Sequence, residues 1–297
     1  LTTGIPGVLA KIFRRRKFIF EVRDIWPELP KAMGIINSKV FLWVLEKLEL
    51  LIYSFADKIV TLSPGMSLNL IGKDVQKSKI FTIPNGCDIQ MFESAKTVAR
   101  PEGIEKEDLL AIFSGTFGQA NGLFAIVEVA RILKRKHLRG VKLFLIGEGA
   151  EKEGIQRAVK EEQLDNIIIS EPIGKRNLAD LFTVCDLGLQ VLKNVPAFYN
   201  GTSPNKFFDY LAGGLPVITN YPGWLSNLIL DNDCGYSVDP GNFEQFADLL
   251  DRCHHNKDEL ILKGSNARHL GKRKFNRMDL AKMWLGVIEG TRHEKTG

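Results

Sequence analysis

The sequence predicts an α/β protein built from two doubly wound, Rossmann-like parallel-sheet domains, of which the first is incomplete. From Leu109 onward six short apolar segments alternate with six helical ones, the order that gives a parallel sheet covered by helices. Three further strands of the same style occur within residues 1–92. Residues 93–108 are charged, carry Pro and Gly, and are typical of a linker between the two domains.

The first domain is predicted from its apolar segments and helix caps. Strands are expected at 17–22, 58–62 and 79–83. Asn37 or Ser38 is expected to cap a long helix that runs to Ala56, and Pro64 to begin another. A complete domain of this kind needs about three more βα units of roughly 30 residues each. We therefore expect the chain, which starts at Leu1, to be shortened at its N-terminus.

The second domain, expected to span 109–275, alternates without interruption. Strands are predicted at 109–114, 141–146, 166–169, 186–191, 216–219 and 235–238. Helices are predicted near 121–137, 150–163, 176–184, 204–213 and 223–230, and again after Asn242. The remaining residues, 276–297, contain an apolar stripe at helical spacing that consists of Leu280, Met283, Trp284, Val287 and Ile288.

The composition argues against several classes of protein. With 44% hydrophobic and 25% charged residues, the 297-residue chain has the composition of a globular protein, and no apolar run reaches the ~20 residues of a membrane span. The four cysteines lie far apart without a histidine cluster, so neither a disulfide framework nor a zinc site is expected. Asp231-Asn-Asp233 resembles an Asp-x-Asp metal motif, but its position before a strand favours a turn, and no metal is expected.

The net charge of +5 is concentrated in two segments. Residues 1–17 contain five basic residues and no acidic one. Their apolar residues recur at helical spacing and are Ile5, Val8, Leu9, Ile12 and Phe13. Such a helix suits the surface of an anionic membrane, although a helix packed on a sheet is slightly favoured from the sequence alone. The second segment, from Lys263 to Arg277, has no nucleic-acid recognition motif, so no nucleic-acid partner is expected.

Residues 201–219 form the stretch around which the second domain is organised. Ser203 is expected to cap a helix that begins at Pro204 and ends at Gly213-Gly214. A helix start binds anions through its free N–H groups and its dipole, and Lys206 adds a positive charge beside it. Asp209, one turn further on, is placed to accept a hydrogen bond from a sugar hydroxyl. The pattern favours a nucleotide-sugar site about as strongly as an ordinary capped helix.

Two glycine-bearing turns follow other strands of the same predicted sheet. Ser114-Gly-Thr-Phe-Gly118 follows the first strand and Gly147-Glu-Gly149 the second. Glycine lets the backbone approach a phosphate closely. Because parallel strands end at one edge of the sheet, these turns and the helix start together favour nucleotide binding. No Gly-x-Gly-x-x-Gly or Gly-Lys-Ser/Thr spacing is present, which disfavours a dehydrogenase and a P-loop NTPase.

These motifs resemble those of the family 4 retaining glycosyltransferases, which have the GT-B fold. The resemblance covers nearly the whole chain, and its Arg-Asp-x-Trp-Pro and Pro-Asn-Lys elements are most similar to the bacterial L-fucosamine transferases of O-antigen and capsule assembly. The segments that carry it are Arg23-Asp-Ile-Trp-Pro-Glu28, Ala56-Asp-Lys-Ile-Val-Thr-Leu-Ser63, Ile83-Pro-Asn-Gly-Cys-Asp88, Gly147-Glu-Gly149, Pro204-Asn-Lys-Phe-Phe-Asp-Tyr-Leu-Ala212 and Gly214-Leu-Pro-Val-Ile218.

The resemblance implies a set of site residues. Lys206 would act on the diphosphate, Asp24 would face the sugar on the acceptor side, and Asp209 would contact the ribose. The backbone of the Glu171-Pro-Ile173 loop would meet the base. The other residues implied to bind substrate are Gly115, Thr116, Gly147, Glu148, Gly149, Ile173, Ser203, Pro204 and Asn205.

The sequence departs from the family at three places. Gly201 stands where the family has the first Glu of its Glu-x7-Glu motif, which leaves the donor sugar hydroxyls without their usual carboxylate. Thr116 and Asn121 stand at about the places of an Arg and a Lys that bind the diphosphate. Lys206 and the helix start are therefore expected to supply that charge.

The resemblance further implies a metal-independent transfer from a UDP-sugar, with UDP-N-acetyl-L-fucosamine suggested by the branch, to a lipid-linked bacterial glycan. The enzyme would be cytoplasmic and bound peripherally to the inner face of the plasma membrane, and residues 276–297 would form a helix that crosses back to the first domain. Two alternatives remain open from the sequence. One is a UDP-sugar epimerase of the same fold, and the other is an inactive fragment that only binds nucleotide sugars.

Overall fold

The computed structural model of the chain describes residues 1–290 and forms two compact units. The first unit comprises Leu1–Asn85, Val195–Ser203 and residues 277–290, and the second comprises Gly86–Asn194 and Pro204–Asn276. Each unit contains its own parallel sheet. The α/β fold class with two parallel-sheet domains is thereby confirmed.

The first unit is built on a three-stranded parallel sheet in the order β1-β2-β3. Its strands are β1 (Ile19–Val22), β2 (Lys58–Thr61) and β3 (Ile80–Thr82), and its first four helices are α1 (Gly4–Arg14), α2 (Glu28–Ala32), α3 (Lys39–Phe55) and α4 (Pro64–Gly72). Of the two residues predicted to cap α3, Ser38 does so, because its hydroxyl accepts from the Phe41 N–H at 3.4 Å. Helix α4 begins at Pro64 as predicted, and the Ser63 hydroxyl caps it by accepting from the Met66 N–H at 3.2 Å.

The second unit is built on a six-stranded parallel sheet in the order β6-β5-β4-β7-β8-β9. Its strands are β4 (Leu109–Ser114), β5 (Val141–Ile146), β6 (Ile167–Ser170), β7 (Leu187–Gln190), β8 (Val217–Thr219) and β9 (Gly235–Ser237). Its helices are α5 (Ile89–Glu93), α6 (Phe124–Arg135), α7 (Lys152–Glu161), α8 (Lys175–Phe182), α9 (Asn205–Gly213), α10 (Trp224–Asp231), α11 (Phe243–His255) and α12 (Lys257–Lys274). Each predicted strand and helix of this unit is present, with bounds shifted by a few residues.

Helix α13 (Arg277–Glu289) belongs to the first unit. Its Leu280 and Val287 are buried in one cluster with Val60 of β2 and Ile83. The expected helix was longer, and its residues 291–297 lie outside those that the structure describes.

The segment Val195–Ser203 also packs with the first unit, although the expected second domain included it. The hydroxyl of Ser63 donates to the Asn200 carbonyl at 2.9 Å. A Cβ on Gly65 would lie 2.1 Å from that same carbonyl oxygen, so the start of α4 and this segment are in close contact. The apolar pattern of the segment does not reveal these polar backbone contacts.

Strands β4 and β7 pair over only two residues before they separate. Beyond Ile112 and Gly188 the buried side chain of Tyr210, from α9, fills the gap between them. Its hydroxyl accepts from the Ser114 N–H at 3.1 Å and lies 3.2 Å from the Ile112 carbonyl and 3.4 Å from the Leu189 carbonyl. A side-chain hydroxyl thus satisfies backbone groups that would otherwise be buried without partners.

Gly188 is required by this arrangement, since an added Cβ would lie 2.5 Å from the Tyr210 ring. We expect Gly188→Ala to lower the free energy of unfolding by about 1–3 kcal/mol, the range for overpacking of a core. Chemical denaturation measures it. Gly72→Ala in α4 is the control, because nothing lies within 4 Å of its added Cβ and it should not destabilise the protein. Equal stabilities of the two variants would contradict the tight contact.

Candidate active site

The order of the second sheet places a topological switch point at the carboxyl ends of β4 and β7. The chain leaves these two neighbouring strands in opposite directions across the sheet, toward β5 and toward β8. Open α/β sheets bind their ligands at such a topological switch point. The turn after β4 and helix α9, which lies between β7 and β8 in the chain, both come to this edge.

Lys206, in the first turn of α9, extends its amine to the turn after β4. Its Nζ donates to Asn121 Oδ1 at 2.9 Å and lies 3.8 Å from the centre of the Phe113 ring. An added Cβ on Gly115 would lie 3.0 Å from Lys206 Cε. The structure therefore brings the predicted residues Lys206 and Gly115 together at the switch point, with Asn121 as the hydrogen-bond partner of the amine.

Burial lowers the pKa of Lys206 from 10.5 to about 7. No carboxylate pairs with its amine among the ion pairs of the described residues. Burial disfavours the charged form of an unpaired amine, and an anion bound beside it would restore that form. This environment is suited to a negatively charged ligand.

The predicted cap of α9 is wrong. Pro204 occupies the N-cap position without a side-chain cap bond, and α9 starts at Asn205. Ser203 is instead engaged within the first unit, where its hydroxyl accepts from the Asn85 N–H and its carbonyl accepts from the Asn85 side-chain amide. At the other end the predicted glycine is confirmed, since Gly214 adopts the left-handed conformation with φ 72°.

The two glycine turns after β4 and β5 lie against each other. Gly147 has φ 155°, and a Cβ there would lie 1.8 Å from the Gly115 carbonyl oxygen, so only glycine fits. Gly149, with φ 150°, is similarly close to the backbone of Phe117. Thr116, which lies between Gly115 and Phe117 in the chain, is exposed, and its carbonyl accepts from the Asn121 side chain at 2.8 Å. The close packing of the two turns accounts for Gly147 and Gly149. It also places the backbone of both turns at the carboxyl edge of the sheet.

Glu148 and Glu171 share one lysine. Lys152 Nζ lies 2.7 Å from a carboxylate oxygen of each. The hydrogen bond from Lys152 lowers the pKa of Glu148. The lysine links the turn after β5 to the exposed loop of Glu171-Pro-Ile173 after β6, both of which were predicted to bind substrate.

Asp209 is nearly buried, with 11% of its side chain exposed, and it forms an ion pair with Lys175. Lys175 Nζ lies 2.9 Å from Asp209 Oδ1 and also bonds to Asp88. Burial of the amine lowers its pKa, but the two carboxylates more than offset this, so the pKa of Lys175 is raised overall. Asp209 therefore lies beside a permanent positive charge.

Asp24 belongs to the first unit, in the loop that follows β1. Its side chain is exposed and lines a cavity of about 140 Å³ together with Arg23, Trp26 and Tyr53. Glu28, from the same motif, is held by the Asn69 amide at 3.0 Å and by Lys73 at 3.2 Å. These contacts hold Glu28, the last residue of the Arg23–Glu28 motif, against α4.

Asp231 and Asp233 form a turn, as the sequence indicated. Asp231 ends α10, Asp233 follows with φ 46°, and its carboxylate pairs with Lys263. Within residues 1–290 no group of three or more His, Cys, Asp or Glu side chains is arranged to hold a metal ion. In the same part of the chain no helix is both long and apolar enough to span a membrane.

Sequence reasoning missed the partners of the two central residues. The motif that contains Asp88 assigns no role to that residue, and the sequence does not identify Lys175 and Asn121 as contacts of Asp209 and Lys206. Lys175 follows a glycine at a helix start, and Asn121 follows a glycine turn, which are weak signals. Only the packing of α9 against α8 and against the turn after β4 reveals that these side chains meet.

One protein family matches the chain over most of the second unit. The family model described as glycosyl transferases group 1 matches residues 95–272, more than half of the chain. The chain therefore belongs to the glycosyl transferases group 1 family. A search of curated protein sequences gives no match.

Solved structures share the fold over nearly the whole chain. HepE from Anabaena in complex with UDP is 17% identical, with 97% of this chain and 76% of HepE covered and a TM-score of 0.76, and its UDP-glucose complex gives the same values. Sucrose-phosphate synthase from Thermosynechococcus elongatus is 18% identical, with 97% and 71% covered and a TM-score of 0.72. At such identities the similarity is one of fold, which is the two-domain GT-B fold of glycosyltransferases.

The lowered pKa of Lys206 predicts a pH dependence of stability. From about pH 7 to pH 10.5 the unfolded chain holds a proton on this lysine that the folded chain has released. The free energy of unfolding should therefore rise with pH in this window, by at most about 1.4 kcal/mol per pH unit. Below about pH 7 the lysine is protonated in both states, so it adds no pH dependence there. Urea denaturation of the wild type and of Lys206→Met measures it. Parallel pH profiles of the two proteins would show that the lysine is not desolvated.

Proposed function

We propose that this glycosyltransferase moves a sugar from a UDP-sugar to a lipid-linked bacterial glycan, with retention of the anomeric configuration. The observation that carries the proposal is the partly buried amine of Lys206 at the switch point, beside Gly115 and one helical turn before Asp209. A cation for the diphosphate and a carboxylate for the ribose thereby lie on one helix.

The donor is proposed to be a UDP-sugar because HepE, which shares the fold, binds UDP and UDP-glucose. In this chain the diphosphate would lie at Lys206, the start of α9 at Pro204 and Asn205, and the glycine turns. The ribose would lie at Asp209 and the base at the loop that contains Ile173. The L-fucosamine branch of the sequence resemblance favours UDP-N-acetyl-L-fucosamine.

The proposed chemistry is an exchange of one C1–oxygen bond for another. The bond from the sugar C1 to the diphosphate breaks, and the acceptor oxygen bonds to C1 on the same face. The proton of the acceptor hydroxyl passes to the departing diphosphate oxygen. Lys206 would stabilise the negative charge that develops on the diphosphate, a preorganised electrostatic effect that needs no metal ion. Asp24, in the first unit, is assigned to the acceptor side.

The proposed acceptor and location are a lipid-linked glycan and the cytoplasmic face of the membrane, and the surface of the first unit supports both. Helix α1 exposes Leu9, Ile12 and Phe13, of which Phe13 is 78% exposed. Arg14, Arg15 and Arg16 follow them and are exposed. Helix α3 is apolar on its outer side as well, where Val40, Trp43, Val44 and Leu51 are exposed. Apolar and basic residues together favour an anionic lipid surface.

The donor site is tested by calorimetric titration with UDP, GDP and dTDP. We expect UDP to bind, and Lys206→Met to weaken it by about tenfold or more, because a charge-assisted hydrogen bond to the diphosphate is lost. Lys160→Met, which removes an exposed lysine from α7, is the control and should leave the affinity unchanged. Equal weakening by both substitutions would point to net charge rather than to the site.

Transfer itself is tested with a UDP-sugar and a synthetic undecaprenyl-diphosphate-linked monosaccharide. A lengthened lipid-linked product with an α-linkage from an α-linked donor supports retaining transfer. A UDP-sugar that changes configuration without acceptor would support an epimerase instead, and nucleotide binding without either product would indicate a binding fragment.

Membrane association is tested by sedimentation with phosphatidylcholine vesicles that contain or lack phosphatidylglycerol. Replacement of Arg14, Arg15 and Arg16 by serine should reduce binding to the anionic vesicles by roughly 100-fold, at about 1 kcal/mol per charge near the surface. The same change at Lys272, Arg273 and Lys274 removes equal charge from α12 and is the control. If the two triple variants bind alike, α1 is not the contact.

A further inference from the structure

Lys175 joins three parts of the second unit through one amine. It is the first residue of α8, and its Nζ lies 2.9 Å from Asp209 Oδ1 on α9. The same Nζ bonds to Asp88, which directly precedes α5. Its side chain is 35% exposed, whereas those of Asp88 and Asp209 are 25% and 11% exposed, so the contact is largely shielded from water.

The amine of Lys175 lies between two carboxylates. Its Nζ bonds to Asp88 and is within ion-pair distance of Asp209. The positive charge offsets the repulsion between these two negative groups in a partly desolvated site. Removal of the amine would strengthen that repulsion and alter the direction in which the Asp209 carboxylate points.

The start of α8 is itself firmly held. Arg176 donates to the Ser94 hydroxyl at 2.8 Å, and Asp180 accepts from the Lys96 N–H at 2.7 Å. The ring of Phe182 packs between Phe92 of α5 and Tyr210 of α9, with centroids 5.5 Å and 5.4 Å away. The amine of Lys175 thus comes from a rigid support rather than from a mobile loop.

We propose that Lys175 is a positioning residue that orients the Asp209 carboxylate toward the ribose hydroxyls of the donor and so determines the preference for ribonucleotides. The inference rests on the proposed function, in which Asp209 receives the ribose.

The test is the ratio of affinities for UDP and for its 2′-deoxy and 3′-deoxy analogues, measured by calorimetry. The wild type should prefer UDP over at least one analogue. Lys175→Met and Lys175→Gln should each reduce that preference about tenfold, while Lys175→Arg, which keeps the charge, should retain most of it. A merely structural lysine would change the affinities for all three nucleotides by the same factor, and the ratio would stay constant.

A double-mutant cycle sharpens the result. In an Asp209→Asn background, Lys175→Met should cause no further loss of preference, since the two residues act as one unit. Independent, additive losses would overturn the proposal, and so would an unchanged preference in both neutral variants. If the wild type binds no nucleotide, the proposed function itself fails, which is distinguishable from the case in which UDP binds and Lys175 has no effect on the preference.

Discussion

The arrangement of the second unit depends on the phenol of Tyr210 between β4 and β7. The two strands separate after two paired residues, and the buried hydroxyl contacts the Ser114 N–H and two strand carbonyls in their place. Tyr210 is on α9, so the helix that carries Lys206 and Asp209 is fixed to the strands whose ends define the switch point. Gly188 makes this contact possible, because a side chain at that position would collide with the Tyr210 ring.

The position of the cation follows from the same helix. Thr116 and Asn121 stand at the places where the sequence resemblance implies two cations for the diphosphate, and neither residue is charged. The Lys206 amine nevertheless reaches Asn121, so a positive charge arises at nearly the same place from a different element. Phe113 beneath the amine and the partial burial of Lys206 lower the local dielectric, which strengthens any interaction with an anion.

Much of the fold was predictable because it depends on local patterns. The strands of the second unit are short apolar runs bounded by glycine or polar turns, and Ser38, Ser63 and Gly214 have the cap functions that their residue types favour. The cap of α9 was not predictable, since Ser203 is engaged by Asn85, more than a hundred residues away in sequence. The site was predictable in its residue types, but Lys175 and Asp88 depend on how helices pack, which no spacing within one segment shows.

The short helix α9 has a consequence for how such a site can diverge. If Lys206 and Asp209 have the proposed functions, the diphosphate cation and the ribose carboxylate are three residues apart on one rigid element. Insertions or deletions in the turn after β4 would then leave their spacing unaltered. The diphosphate cation and the ribose carboxylate would then be inherited together on one element of nine residues, whatever changes occur in the turn after β4.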